Sequence, residues 1–195
     1  MKVKGKVIVV TGGGNGMGKE LVFHLLSKGA KVIAVDRNES ALKETALMAD
    51  TLGYSLKTHI VDISNRQEVE ALANNAISHY GYVDGIINNA GIIQPFVKLN
   101  DLDYEEIERV IRVNLYGTLY VTKSFLPHLL TRSEAHIVNI SSMGGFLPVP
   151  GQTIYGATKA AVKLLTEGLN SELRNTNVKV SVVFPGAIRT NIMGN

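Results

Sequence analysis

Lys6-Val7-Ile8-Val9-Val10-Thr11-Gly12-Gly13-Gly14-Asn15-Gly16-Met17-Gly18 decides how this chain is read. Lys6 to Val10 is a short apolar run of β-branched residues, as in a strand buried on both faces. A glycine-rich loop follows it. Apolar residues then recur at Met17, Leu21, Val22, Leu25 and Leu26, a helical spacing over Gly16 to Ser27 that Gly29 closes. Glycines let the loop turn sharply and lie close to a ligand. The helix N-terminus offers free N–H groups and a partial positive charge, which suit a pyrophosphate. Gly12, Asn15, Gly16, Met17 and Gly18 are the expected contacts. Asp36 ends the second apolar run, where a dinucleotide fold places the acid for the adenosine ribose hydroxyls.

A P-loop is the competing reading, since Gly13 to Lys19 fits G-x-x-x-x-G-K. That motif needs Ser or Thr next, to hold magnesium. Glu20 stands there instead, and its carboxylate opposes phosphate.

The pattern repeats outward from this unit. Strands are predicted at Lys31–Val35, Tyr54–Val61, Val83–Ile87, Ala135–Ile140 and Val178–Phe184. Helices are predicted at Glu39–Leu52, from an N-cap at Ser64 to His79, from Asp103 to about Leu130, and at Thr153–Arg174. Strands that are continuous apolar runs, alternating with helices, imply an α/β fold with a six-stranded, doubly wound parallel sheet of Rossmann type. Ligands bind such sheets at the carboxyl ends of the strands, where the strand order reverses. The whole of 1–195 reads as one dinucleotide-binding and catalytic domain.

Composition removes other classes. No cysteine is present, so disulfides, thiol nucleophiles and Cys-ligated zinc are excluded. The five histidines form no H-E-x-x-H and gather no acidic cluster, so no metal is expected. No G-x-S-x-G supports an esterase. The formal charge of +3 is spread along the chain, so no nucleic-acid partner is expected. The basic start is followed only by Val7 to Val10, too short for a signal core, and no stretch spans a membrane. A cytoplasmic protein is the resulting expectation.

Tyr155 and Lys159 lie four apart at the start of a predicted helix, hence on one face. An ammonium so near favours a phenolate, and a tyrosine so tuned takes or gives a proton as hydride moves to or from an alcohol carbon. Ser142 ends the fifth strand, where its hydroxyl can bond a substrate oxygen. Ser141 beside it suits a turn cap. Asn114 sits mid-helix among apolar residues and needs a hydrogen-bond partner.

With glycines at 12, 16 and 18 in T-G-x-x-x-G-x-G, and with Y-x-x-x-K at Tyr155 and Lys159, the chain resembles the classical short-chain dehydrogenase/reductase family. The resemblance runs from Lys6 to Thr190. It implies Tyr155 as general acid/base and Ser142, thirteen residues earlier, as the catalytic serine. Lys159 would tune the tyrosine and bind the nicotinamide ribose. Asn114 would hold a water linking the lysine to solvent. Asn89, Ala90 and Gly91 would pass the adenine ribose, and Asp62 and Ile63 would lie at the adenine ring. Pro185, Gly186, Ile188 and Thr190 would meet the carboxamide, phosphates or nicotinamide.

Asp36 repels a 2′-phosphate, and Asn15 stands where NADP users of this type often carry a basic residue, so NAD is expected. Arg37 could hold that phosphate if Asp36 swung away, which keeps NADP as the lesser alternative. The apolar loop Gly144–Gln152 suggests a lipophilic alcohol or ketone as substrate. Relatives of this type continue for some fifty residues, adding a substrate-covering segment and an edge strand. The expectation is therefore a chain lacking both, which forms dimers or tetramers with itself. A module that senses NAD without catalysis is the alternative, though it has no need of Asn114, Ser142, Tyr155 and Lys159 together.

Overall fold

The computed structural model describes residues 1–188. Six strands alternate with helices: β1 (Val7–Thr11), α1 (Gly16–Ser27), β2 (Lys31–Asp36), α2 (Glu39–Thr51), β3 (Leu56–Ile60), α3 (Arg66–Tyr80), β4 (Gly85–Asn88), α4 (Tyr104–Ile111), α5 (Thr118–Leu129), β5 (Ala135–Ile140), α6 (Thr153–Glu172) and β6 (Val178–Val183). The sheet order is β3-β2-β1-β4-β5-β6, and every pair is parallel. The chain winds outward from β1 to β3, then crosses back to place β4 on the other side of β1. That reversal opens a crevice at the carboxyl ends of β1 and β4.

The side-chain period of two sorts β1 between two cores. Val7 and Val9 join a cluster with Leu72, Val121, Phe125 and Leu129 from α3 and α5. Ile8 and Val10 join Val22, Leu25, Leu26 and Leu42 from α1 and α2 on the opposite face. All five residues of β1 are buried, as a central strand requires.

Three expectations are corrected. The third strand is shorter than Tyr54–Val61 and is not a continuous buried run: Leu56, Lys57, Thr58 and His59 are half-buried and Ile60 is exposed. It is one edge of the sheet, where one flank and part of each face meet water. The cap of α3 is Asn65, not Ser64. Asn65 Oδ1 accepts from the N–H groups of Gln67 and Glu68, whereas Ser64 Oγ donates to Asp62 Oδ1 at 2.8 Å. The single helix expected over 103–130 is divided. A π-helical turn, Arg112–Gly117, separates α4 from α5. Such turns insert a residue into the helical ladder, and Asn114 lies in this one.

Candidate active site

The β1–α1 loop is held against the neighbouring strands. Gly13 N–H donates to Val35 C=O at 3.0 Å, and Gly14 N–H donates to Asp36 Oδ2 at 3.1 Å. Gly12 has φ +69°, and a Cβ added at Gly18 would lie 1.9 Å from the Gly12 carbonyl oxygen. Only glycine allows that approach. Asn15 precedes α1 with extended backbone and no side-chain cap bond, and no acid stands in the first turn. The N–H groups that begin α1 therefore meet no capping side chain and suit an anion. Asp36 Oδ1 accepts from Asn38 N–H at 3.0 Å, so the carboxylate is oriented at the carboxyl end of β2. This cradle fits a dinucleotide pyrophosphate and ribose. Beside it, Arg37, Asp62, Ser64, Arg112 and Val113 line a cleft of about 270 Å³. Asp62 Oδ1 accepts from Ser64 N–H and Oγ–H. Ile63 is buried, its side chain against Gly117 of the π turn.

Across the crevice, Thr11 Oγ1 accepts from the N–H groups of Asn89 and Ala90 at 3.0 and 3.1 Å. Asn89 Nδ2 donates to the Thr11 carbonyl at 3.0 Å. Gly91 comes next, with Lys159 Nζ and Asn114 Oδ1 3.1 and 3.2 Å from the point where its Cβ would be. The Asn114 side chain is fully engaged. Its Oδ1 accepts from Ile92 N–H at 2.9 Å, and its Nδ2 donates to Ile92 C=O and to Thr158 Oγ1.

Ser142 leaves β5 with extended backbone, and its Oγ accepts from Gly144 N–H at 3.0 Å. It is thus Ser142 that caps the turn, not Ser141. Ser141 is buried and donates from Oγ to the Lys159 carbonyl at 2.7 Å, tying β5 to α6. The hydroxyl hydrogen of Ser142 meets no acceptor among the described residues. Ser142 Oγ and Tyr155 Cε1 are each 3.4 Å from the point where a Gly144 Cβ would stand, so the two side chains converge. Lys159 Nζ lies 5.8 Å from the centre of the Tyr155 ring and donates to the Ile140 carbonyl at 3.0 Å. Burial pushes this ammonium down from the usual lysine value to about 8. No carboxylate pairs with it among the described residues.

The loop after β6 closes one side. Met143 N–H donates to the Pro185 carbonyl at 3.0 Å, and the Phe146 and Phe184 rings are 4.5 Å apart. Phe146, Leu147 and Val149 are exposed. Ile188 is exposed at the end of the described residues, and Thr190 lies outside them. Among the described residues no group of three or more His, Asp or Glu gathers, and no helix is long and apolar enough to cross a membrane.

The family profile described as short chain dehydrogenase matches residues 6–195. The chain belongs to the short-chain dehydrogenase/reductase family. It is 40% identical over 189 residues to an uncharacterized oxidoreductase of Staphylococcus aureus, covering 96% of this chain and 80% of that protein. It also resembles the solved short-chain dehydrogenase/reductase of Burkholderia phymatum in complex with NAD. The TM-score is 0.96 and the identity 34%, over 100% of this chain and 70% of that one. The 3-ketoacyl-(acyl-carrier-protein) reductase of Brucella melitensis, complexed with NADH, superposes with TM-score 0.93 at 31% identity, over 98% of this chain and 79% of that one.

Several residues that build this crevice carried no signal in the sequence. Thr11 reads only as the first letter of the loop motif, yet it anchors Asn89 and Ala90. Thr158 links Asn114 to α6, donating to the Tyr155 carbonyl at 2.7 Å. Gln94 and Gln152 are polar residues in loops that the fold buries completely. Only a polar residue of low exposure marks them, and exposure is not readable before folding.

Proposed function

We propose that this chain is an oxidoreductase that moves hydride between a nicotinamide dinucleotide and an alcohol or carbonyl carbon. A buried ammonium with no carboxylate partner among the described residues, beside a Tyr155 ring that converges with Ser142, carries this reading. Gly12, Asn15, Gly16, Met17 and Gly18 would hold the pyrophosphate, and Asp36 the adenosine ribose. Asp62, Ile63, Asn89, Ala90 and Gly91 would flank the adenine half. Pro185, Gly186, Ile188 and Thr190 would flank the nicotinamide half. When bound, the cofactor supplies or accepts the hydride.

The chain's own groups handle the proton. In the reducing direction, the Tyr155 hydroxyl gives its proton to the substrate oxygen as charge develops there. Ser142 donates a hydrogen bond to the same oxygen, which stabilises that charge. The phenolate left on Tyr155 is stabilised by Lys159, whose field is strong because water and counter-ions are excluded. Oxidation runs the same transfers backward. Asn114 fixes Ile92 and Thr158 through its side chain, and would hold the water that links Lys159 to solvent.

Asp36 supports NAD over NADP, since its fixed carboxylate would face a 2′-phosphate. The apolar Phe146–Val149 segment beside Ser142 supports a lipophilic substrate. Exposed Tyr116 of the π turn and Leu164 of α6 offer apolar surface for self-association.

Fluorescence titration with NADH and, separately, NADPH tests the cofactor half of the reading. NADH should bind clearly tighter. Equal affinities would overturn the role given to Asp36. A panel of aliphatic secondary alcohols, assayed by NADH formation, tests the chemistry. Tyr155→Phe should lose about 10³-fold in turnover, within the range of a lost acid/base group, with NADH still bound. A Tyr155→Phe protein as active as wild type would overturn the mechanism.

A further inference from the structure

The helix that bears Tyr155 and Lys159 does not cap itself. Gln152, the residue before α6, makes no side-chain bond to the first turn. The acceptor comes from far back in the chain. Gln94, in the loop after β4, accepts on Oε1 from Ile154 N–H at 2.8 Å and from Tyr155 N–H at 3.1 Å. Gln152 returns the contact, its Nε2 donating to the Gln94 carbonyl at 2.8 Å. Both glutamines are buried, at 1% and 4% exposure.

Chemistry fixes both amide orientations. Gln94 faces two backbone donors, so the atom toward them is its oxygen. Gln152 faces a carbonyl, so the atom toward it is its nitrogen. Gln94 Nε2 and Gln152 Oε1 are buried with no hydrogen-bond partner among the described residues.

The loop that carries Gln94 is tied at two earlier points. Asn89 is bonded to Thr11 at the glycine loop, and Ile92 to Asn114 at the π turn. Beyond Gln94 the loop packs on the segment before α6: Gly151 there has φ +78°, and a Cβ on it would lie 3.3 Å from the Phe96 carbonyl carbon. The segment is a strap from the proposed cofactor cradle to the start of α6, and Gln94 is its last tie.

We propose that Gln94 is a positioning residue. It holds the first turn of α6 in register with the glycine loop, and so aims Tyr155 and Lys159 at the nicotinamide end of the site. The two side chains share one helix face, so a shift of this turn moves both. The inference rests on the proposed meeting of Lys159 and Tyr155 with the nicotinamide ribose.

Calorimetric titration with NADH and with ADP, which lacks both nicotinamide and its ribose, separates positioning from folding. Gln94→Met should weaken NADH about tenfold and leave ADP within about twofold, because only the nicotinamide half meets α6. Gln94→Glu keeps the two acceptor bonds and replaces the nitrogen by a carboxylate oxygen, whose charge the N-terminus of α6 favours. It should bind both ligands within about twofold of wild type. Should Gln94→Met not fold, Gln94→Asn, one methylene too short to reach, gives the same selective loss in milder form. Equal weakening of both ligands, no weakening of either, or a Gln94→Glu protein as impaired as Gln94→Met would each overturn the proposal. Lys159→Met is the separate control. If it binds both ligands in wild-type proportion, the reading of Lys159 fails first, and Gln94 then has nothing to aim.

Discussion

Two charged side chains are buried at opposite ends of this sheet, and the fold surrounds them differently. At the amino ends of the strands, Asp84 is 0% exposed. Its Oδ2 accepts from Val7 N–H at 3.0 Å, and its Oδ1 from Arg132 Nε at 3.0 Å, with Lys6 Nζ at 3.8 Å. Arg132 also lies 4.6 Å above the Tyr82 ring. At the carboxyl ends, Lys159 has the carbonyl of Ile140 and, among the described residues, no counter-charge. A buried charge with fixed partners holds elements together. A buried charge without one costs stability and keeps its field for whatever enters the site.

The largest effect should come from the amino end. Asp84→Ala removes the shared partner of Val7, Arg132 and Lys6. Breaking a buried pair in this way costs about 3–5 kcal/mol, read as a lower urea midpoint at constant slope. A loss under about 1 kcal/mol would mean that Arg132 and Lys6 simply turn outward into water and that the cluster holds nothing.

Lys159→Met should act with the opposite sign. The folded-state value of about 8 lies below the ordinary 10.5, so the folded chain resists the proton that the unfolded chain holds. The penalty is fully present below pH 8. It shrinks as pH rises from 8 to 10.5, where stability climbs, and is gone above that. At pH 7 it amounts to about 3 kcal/mol. Lys159→Met should therefore be more stable than wild type at neutral pH, by an amount that fades across that window. Equal stability at pH 7 would show that the Ile140 carbonyl already compensates the charge.

Lys6→Met should matter least. Its side chain is 24% exposed and stands 3.8 Å from Asp84, so the loss should stay under about 1 kcal/mol. A loss approaching that of Asp84→Ala would make the cluster an indivisible triad rather than one strong pair with an outlying charge.

Much of this was legible in the chain. The glycine spacing at 12, 16 and 18, Asp36 at its strand end, and the Tyr155–Lys159 pair are local patterns, and the structure brings all of them to one crevice. Where reading failed, the deciding partner was distant. Ser64 and Asn65 are both good caps, and only the start of α3 chooses between them. The run from 103 to 130 is helical in pattern, but Asn114 bonding to Ile92 and Thr158 accompanies a π turn that periodicity does not show. Ser141 and Ser142 are neighbours of one type, and the placement of α6 gives them different partners.

The sequence by itself determined the alternation of strands and helices, the sharp first loop, and a tyrosine and lysine on one helix face. These depend on hydrophobic period, glycine conformation and spacings of four residues or fewer, all of which act locally. Only the tertiary structure decided the strand order, the partnerless burial of Lys159, the enclosed Asp84 cluster, and the capping of α6 by a glutamine some sixty residues away. Solvation and hydrogen-bond partners at a buried atom depend on what the rest of the chain brings beside it, and that exists only once the sheet is assembled.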